Sequence, residues 1–235
     1  MQTHFRIRVV IGVVLSLAVI GIQPAAARAE PDQSATTEKQ QPQVRPLRII
    51  PMGDWKASPP DVEKVLYSAA GELWKYFPDR ELPPIIVLPQ GGPIVLYQRS
   101  DNGELQVRLA TGQLYWSQYA YQFAHEFCHI LCNYDDDPQR NKWFEESLCE
   151  MASVFAMRQM ADAWKTNPPY PNWKDYAVAL RSYADDVFDK HKLPDGSEFT
   201  DWFEQHREYF YSHATDRPKN SVVARQLLPL FEKAP

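Results

Sequence analysis

The apolar positions of this chain form short runs up to about residue 110 and a sustained helical period from about residue 117. The early runs at 47–51 and 84–88 are bounded by prolines and predict buried strands. Segments 94–98 and 105–110 flank Ser100-Asp101-Asn102-Gly103, whose turn-forming residues predict a hairpin. One helix interrupts the strands. Val62, Val65, Leu66, Ala69, Leu73 and Phe77 recur at intervals of three and four, which predicts a helix over 61–77 with Pro78 as its stop. Later spacing predicts helices over 117–133, 141–164, 172–190, 200–212 and 221–233, punctuated by Pro168, Pro169, Pro171, Pro194 and Pro218. Strands first and helices afterwards is an α+β signature: a small N-terminal mixed sheet with one helix, then a mainly helical C-terminal half.

The first 29 residues stand outside this pattern. Arg6 and Arg8 precede an uncharged apolar run over 9–22, and small residues follow up to Ala27-Arg28-Ala29. That order is expected of a cleavable signal peptide, with Ala25-Ala26-Ala27 as a second cleavage site. The run falls short of the roughly 20 apolar residues needed to span a bilayer. Segment 30–46, rich in Gln, Pro, Ser and Thr, reads as a flexible tether, and 47–235 as a single domain. The expected location is therefore secreted or periplasmic, with no stable membrane span after signal cleavage.

Charge narrows the partners. The whole chain has 25 basic and 30 acidic residues, a net charge of -5. Cleavage before Glu30 would remove three arginines and no acid, leaving 22 basic residues against 30 acidic ones, or -8. An acidic chain repels phosphate backbones, so nucleic acid is not an expected partner. The pattern specifies no oligomeric state.

Candidate chemistry is concentrated in His125-Glu126-Phe127-Cys128-His129. On a helix, residues four apart lie on one face, so both imidazoles reach one ion. Zinc suits neutral imidazole, and a catalytic zinc needs a third protein ligand and an open position. Glu126 sits at the edge of the same face, where it reaches a water without binding the metal, as a general base does. Tyr121, Phe123, Phe127, Ile130 and Leu131 supply the apolar packing for this helix.

The third ligand comes from a resemblance. HExxH followed by a second helix reading Trp143-Phe144-Glu145-Glu146-Ser147-Leu148-Cys149-Glu150 resembles the gluzincins, the thermolysin and aminopeptidase superfamily of zinc metallopeptidases. The match covers about 105–151, a minority of the chain. It implies a zincin-like fold, Zn2+ held by His125, His129 and Glu146, and a peptide or protein substrate hydrolysed by a zinc-activated water with Glu126 as general base. It also implies that Glu150, one turn after Glu146, holds the free ring nitrogen of a ligand histidine. Glu145 is the rival to Glu146, pointing about 100° away on the helix. Other zincins use a residue six positions after the second histidine, here Asp135, just past a glycine. This chain has Cys132 at the glycine position, where a sharp turn is costly. Related peptidases add a Tyr or His that stabilises the oxyanion, for which Tyr209, Tyr211, His206 and His213 are candidates. They align substrate along an edge strand before the active helix, for which 105–110 is the candidate. Tyr115, Trp116 and Tyr119 read as core in preference to a pocket wall.

Three cysteines, Cys128, Cys132 and Cys149, complete the inventory. Cys132 shares a helical face with the two histidines, and Cys149 follows Glu146 by three residues, so a Cys132–Cys149 disulfide and buried free thiols are both compatible with the spacing. The expected function is a secreted zinc metallopeptidase. The alternative is a non-proteolytic zinc-binding envelope or extracellular module that keeps a vestigial site.

Overall fold

The computed structural model describes residues 46–133 and 141–235. The expected signal peptide, the tether up to residue 45 and the acidic run Asp135-Asp136-Asp137 lie outside the described residues. The elements run β1 (Ile49–Pro51), α1 (Pro59–Trp74), β2 (Ile85–Pro89), β3 (Ile94–Leu96), β4 (Leu105–Leu109), α2 (Trp116–Leu131), α3 (Lys142–Trp164), a 3-10 turn at Pro171–Trp173, α4 (Tyr176–Asp189), α5 (Phe199–Ser212) and α6 (Arg217–Lys233). The α+β class and the largely helical C-terminal half are as the sequence predicts.

The four strands form one mixed sheet in the order β1-β2-β4-β3. β1, β2 and β4 are parallel, and β3 pairs antiparallel with β4, Val95 opposite Val107. The predicted hairpin is present, but β4 is interior. The substrate-edge candidate 105–110 is therefore corrected: the edge strand beside β4 is β3. Gly92 permits this placement, because a Cβ there would lie 2.0 Å from the Arg108 carbonyl oxygen. Ile85, Val87, Leu105, Val107 and Leu109 alternate with more exposed neighbours and are buried. α1 packs on β1 and on α2, and α2 in turn on β3 and β4, so the two helices lie side by side on one face of the sheet.

Helix boundaries differ from expectation where proline is concerned. α1 begins at Pro59 and α6 at Arg217, each with proline in the first turn, where the missing N–H had no intrahelical partner to lose. Asp216 caps α6 by accepting from Lys219 N at 3.1 Å. α3 is buried on nearly every side, packed against α1, α2, α4 and α6. Ser147 has no exposed surface, and its hydroxyl donates to Trp143 O at 2.9 Å. A small residue after Glu146 is what close packing requires here. Trp116 and Tyr119 belong to the core, as expected, whereas Tyr115 is exposed.

α2 ends at Leu131, two residues after His129. Asn133 takes a left-handed conformation (φ 54°), a common helix stop. Arg80 clamps this end, donating to Ile130 O at 3.0 Å, to Leu131 O and to the Asn133 side chain. Ile130 O also accepts from Asn133 N at 3.1 Å, so Arg80 supplements the backbone capping of this helix end. Arg80→Ala is expected to lower unfolding free energy by about 1–3 kcal/mol in chemical denaturation, with Arg80→Lys only partly restoring it because an ammonium lacks the planar fork.

Candidate metal centre

α2 and α3 pack so that the motif histidines face the carboxylates of α3. His125 Nε2 lies 3.4 Å and His129 Nε2 3.8 Å from the same oxygen, Glu146 Oε2. One ligand atom from each of His125, His129 and Glu146 lies within 4.8 Å of the others, so the three could hold a metal ion. The donor set of two imidazoles and one carboxylate suits a borderline divalent cation such as zinc.

The outer ring nitrogens are also provided for. His129 Nδ1 donates to Glu145 Oε1 at 2.7 Å. Glu145, the rival ligand by sequence, thus orients the imidazole and leaves Nε2 free to ligate. His125 Nδ1 faces Glu150 Oε2 at 3.6 Å, too long for a hydrogen bond, and both buried atoms are without one. The other Glu150 oxygen accepts from Tyr121 OH at 2.5 Å and Ser221 Oγ at 2.9 Å, and Arg217 Nε lies 4.0 Å from Glu150 Oε2. Glu150 is therefore held from two other helices, with its second oxygen turned to His125 but not hydrogen-bonded to it.

Electrostatics follow from this crowding. Burial disfavours a charged His125, but Glu146 and Glu150 outweigh it and push its pKa up to about 9. Burial raises the carboxyls of Glu146 and Glu150, yet contact with His125 holds both below their ordinary value. Glu126 behaves differently. Burial pushes it up, and the neighbouring histidines and the Val95 backbone amide only partly offset that. A carboxyl group 4% exposed, raised by burial and adjacent to the imidazoles, has the properties of a proton acceptor and donor.

A cavity of about 710 Å³ opens over this group. Ile94, Val95 and Tyr97 line one side of it, Lys142, Phe144 and Leu148 another, and Arg217 also contributes. Lys142 Nζ donates to Tyr97 OH at 3.1 Å, linking the end of the edge-strand segment to the start of α3. None of the four oxyanion candidates is among the residues lining the cavity. Tyr209 donates to Asp216 at 2.8 Å and stacks on His213, and His206 stacks on Trp202. Tyr211 packs against the second apolar cluster, around Trp143 and Phe210. Arg217 is the cationic group that the sequence did not mark. Tyr121, read from the sequence as packing only, lies one helical turn before His125 on the same face, a signal that could have marked it, whereas Arg217 and Ser221 carry no local signal. All three cysteines are free.

Comparisons with protein-family models, curated proteins and solved structures found no match. What the centre does is read from its own side chains. In a competition titration with Zn2+ or Co2+, Glu146→Ala is expected to abolish tight binding, whereas Glu145→Ala and Glu150→Gln should each weaken it by about 10–100-fold. Wild-type affinity in Glu146→Ala would remove that carboxylate from the ligand set.

Proposed function

We propose that the chain is a zinc-dependent, zincin-like peptidase that hydrolyses peptide bonds at the α2–α3 centre. One observation carries the reading: both motif imidazoles turn Nε2 to a single Glu146 oxygen, with the buried Glu126 carboxyl beside them on the same cavity. A metal-binding module needs only ligands. A separate carboxyl group that is not among the converging ligands fits hydrolysis better than storage or scaffolding.

Bound at His125, His129 and Glu146, zinc supplies a Lewis acid that polarises a carbonyl and lowers the pKa of water. Glu126 accepts the proton of the attacking water and returns it to the departing nitrogen. Glu145 and Glu150 hold the imidazoles in orientation throughout. An extended substrate fits along the outer edge of β3, where backbone pairing tolerates many side chains. Ile94, Phe144 and Leu148 give that cleft apolar walls. Arg217 replaces the earlier oxyanion candidates as the group that meets developing negative charge, because its guanidinium lines the cavity on the His125–Glu150 side. Secreted or periplasmic action accompanies the reading through the leader over 1–29, and among the described residues no helix is long and apolar enough to cross a membrane.

The decisive comparison is between wild type and Glu126→Gln, each loaded with zinc and assayed on casein and on a peptide library. Glu126→Gln should keep its metal and lose at least about 100-fold in turnover. Equal turnover in both proteins, or none by the zinc-loaded wild type, would end the peptidase reading.

A further inference from the structure

The Glu150 carboxylate of α3 meets two other helices at one oxygen. Its Oε1 accepts from Tyr121 OH of α2 at 2.5 Å and from Ser221 Oγ of α6 at 2.9 Å. All three residues are buried. Its Oε2 makes no hydrogen bond and faces His125 Nδ1, which makes none either, at 3.6 Å. Arg217 Nε lies 4.0 Å from Oε2, beyond hydrogen-bond distance.

The terminal torsion of a glutamate is broad, so nothing within the residue decides where its oxygens point. Two hydroxyls on one oxygen do decide it. With Oε1 held from α2 and α6, Oε2 is left facing His125. A neutral imidazole carries a proton on one nitrogen and a lone pair on the other. When Nε2 keeps the lone pair, as ligation of a cation demands, the proton is on Nδ1, and Oε2 is the buried acceptor beside it. His129 is served differently. Its Nδ1 already bonds Glu145 Oε1 at 2.7 Å. The Glu145 side chain is 32% exposed and has no other hydrogen bond among the described residues. The His125 ring thus depends on two buried hydroxyls that are not among the converging ligands.

We infer that Tyr121 and Ser221 are positioning residues of the metal centre: their hydroxyls hold the Glu150 carboxylate so that it fixes the ring of His125 with Nε2 toward the ligand position. The inference rests on the metal-binding part of the reading above and not on peptide hydrolysis. It makes α6, which supplies none of the three converging ligands, part of what sets metal affinity.

The test is a double-mutant cycle on the full chain, read by competition titration with Zn2+ and by the visible spectrum of the Co2+ form. Tyr121→Phe and Ser221→Ala each remove one hydroxyl and are expected to weaken Zn2+ binding by about 10-fold. In a Glu150→Gln background either change should cost less than about 2-fold, because the carboxylate it positions is gone. Both single variants should shift the Co2+ absorption bands in the direction that Glu150→Gln does. Ser153→Ala is the control. Ser153 is equally buried on α3, but its hydroxyl donates to Cys149 O at 2.8 Å, so affinity and spectrum should match wild type. Wild-type affinity in either hydroxyl variant would overturn the inference. So would a full-sized loss that persists in the Glu150→Gln background, or an equal loss in Ser153→Ala. Should one hydroxyl variant fail to fold, the other completes its own cycle. No tight binding by the wild type would remove the metal centre and this inference with it, whereas failed peptide turnover with intact metal binding bears on the peptidase reading alone.

Discussion

The constraint that organises this molecule is charge balance at the contact between α2 and α3. Glu126, Glu145, Glu146 and Glu150 surround two imidazoles; His125, Glu126 and Glu150 are buried and the other three groups partly so. Isolated carboxylates in such a place would carry a desolvation cost of several kcal/mol each. The protein meets that cost with positive charge. Without a metal, a proton on His125 serves, held there by Glu146 and Glu150. A divalent cation among His125, His129 and Glu146 would serve better, displacing that proton and satisfying one carboxylate and two nitrogens together.

The rest of the fold keeps the helices from relaxing this arrangement. The sheet supports α2 from one side, and Val95 of the edge strand supplies a backbone amide to Glu126. Arg80 fixes the end of α2 just after His129. α3 is surrounded by helices, with Ser147 allowing close approach beside the ligand carboxylate. Tyr121 and Ser221 both hold the Glu150 oxygen that does not face His125. Two buried atoms at the centre, His125 Nδ1 and Glu150 Oε2, face each other without a hydrogen bond. The one loose contact, 3.6 Å between His125 and Glu150, lies where ring and carboxylate must adjust if His125 exchanges a proton for a metal.

Much of this was legible in sequence because it is local. The imidazole pair follows from a spacing of four, and the helix periods located α1, α2 and α3 to within a few residues. The choice between Glu145 and Glu146 came from a resemblance, and both residues sit at the centre in different roles. What sequence could not supply depends on tertiary neighbours. The strand order places β3 outside β4, which hairpin pairing alone does not determine. Arg217 is the first residue of α6, just before Pro218, which reads in sequence as an interruption although proline is acceptable in a first turn. The Tyr and His residues of α5 and its flank were suggested by residue type alone, and they serve packing or the cap of α6 instead.

Glu150 and Ser221 are separated by 71 residues in the chain. Synthesis at about 5–20 residues per second leaves an interval of seconds in which the motif helices exist without α6. During that interval the Arg217 and Ser221 contacts to Glu150 are missing. A nascent chain would therefore carry an incomplete centre until α6 has been made. The topology itself sets the order in which the centre can be completed.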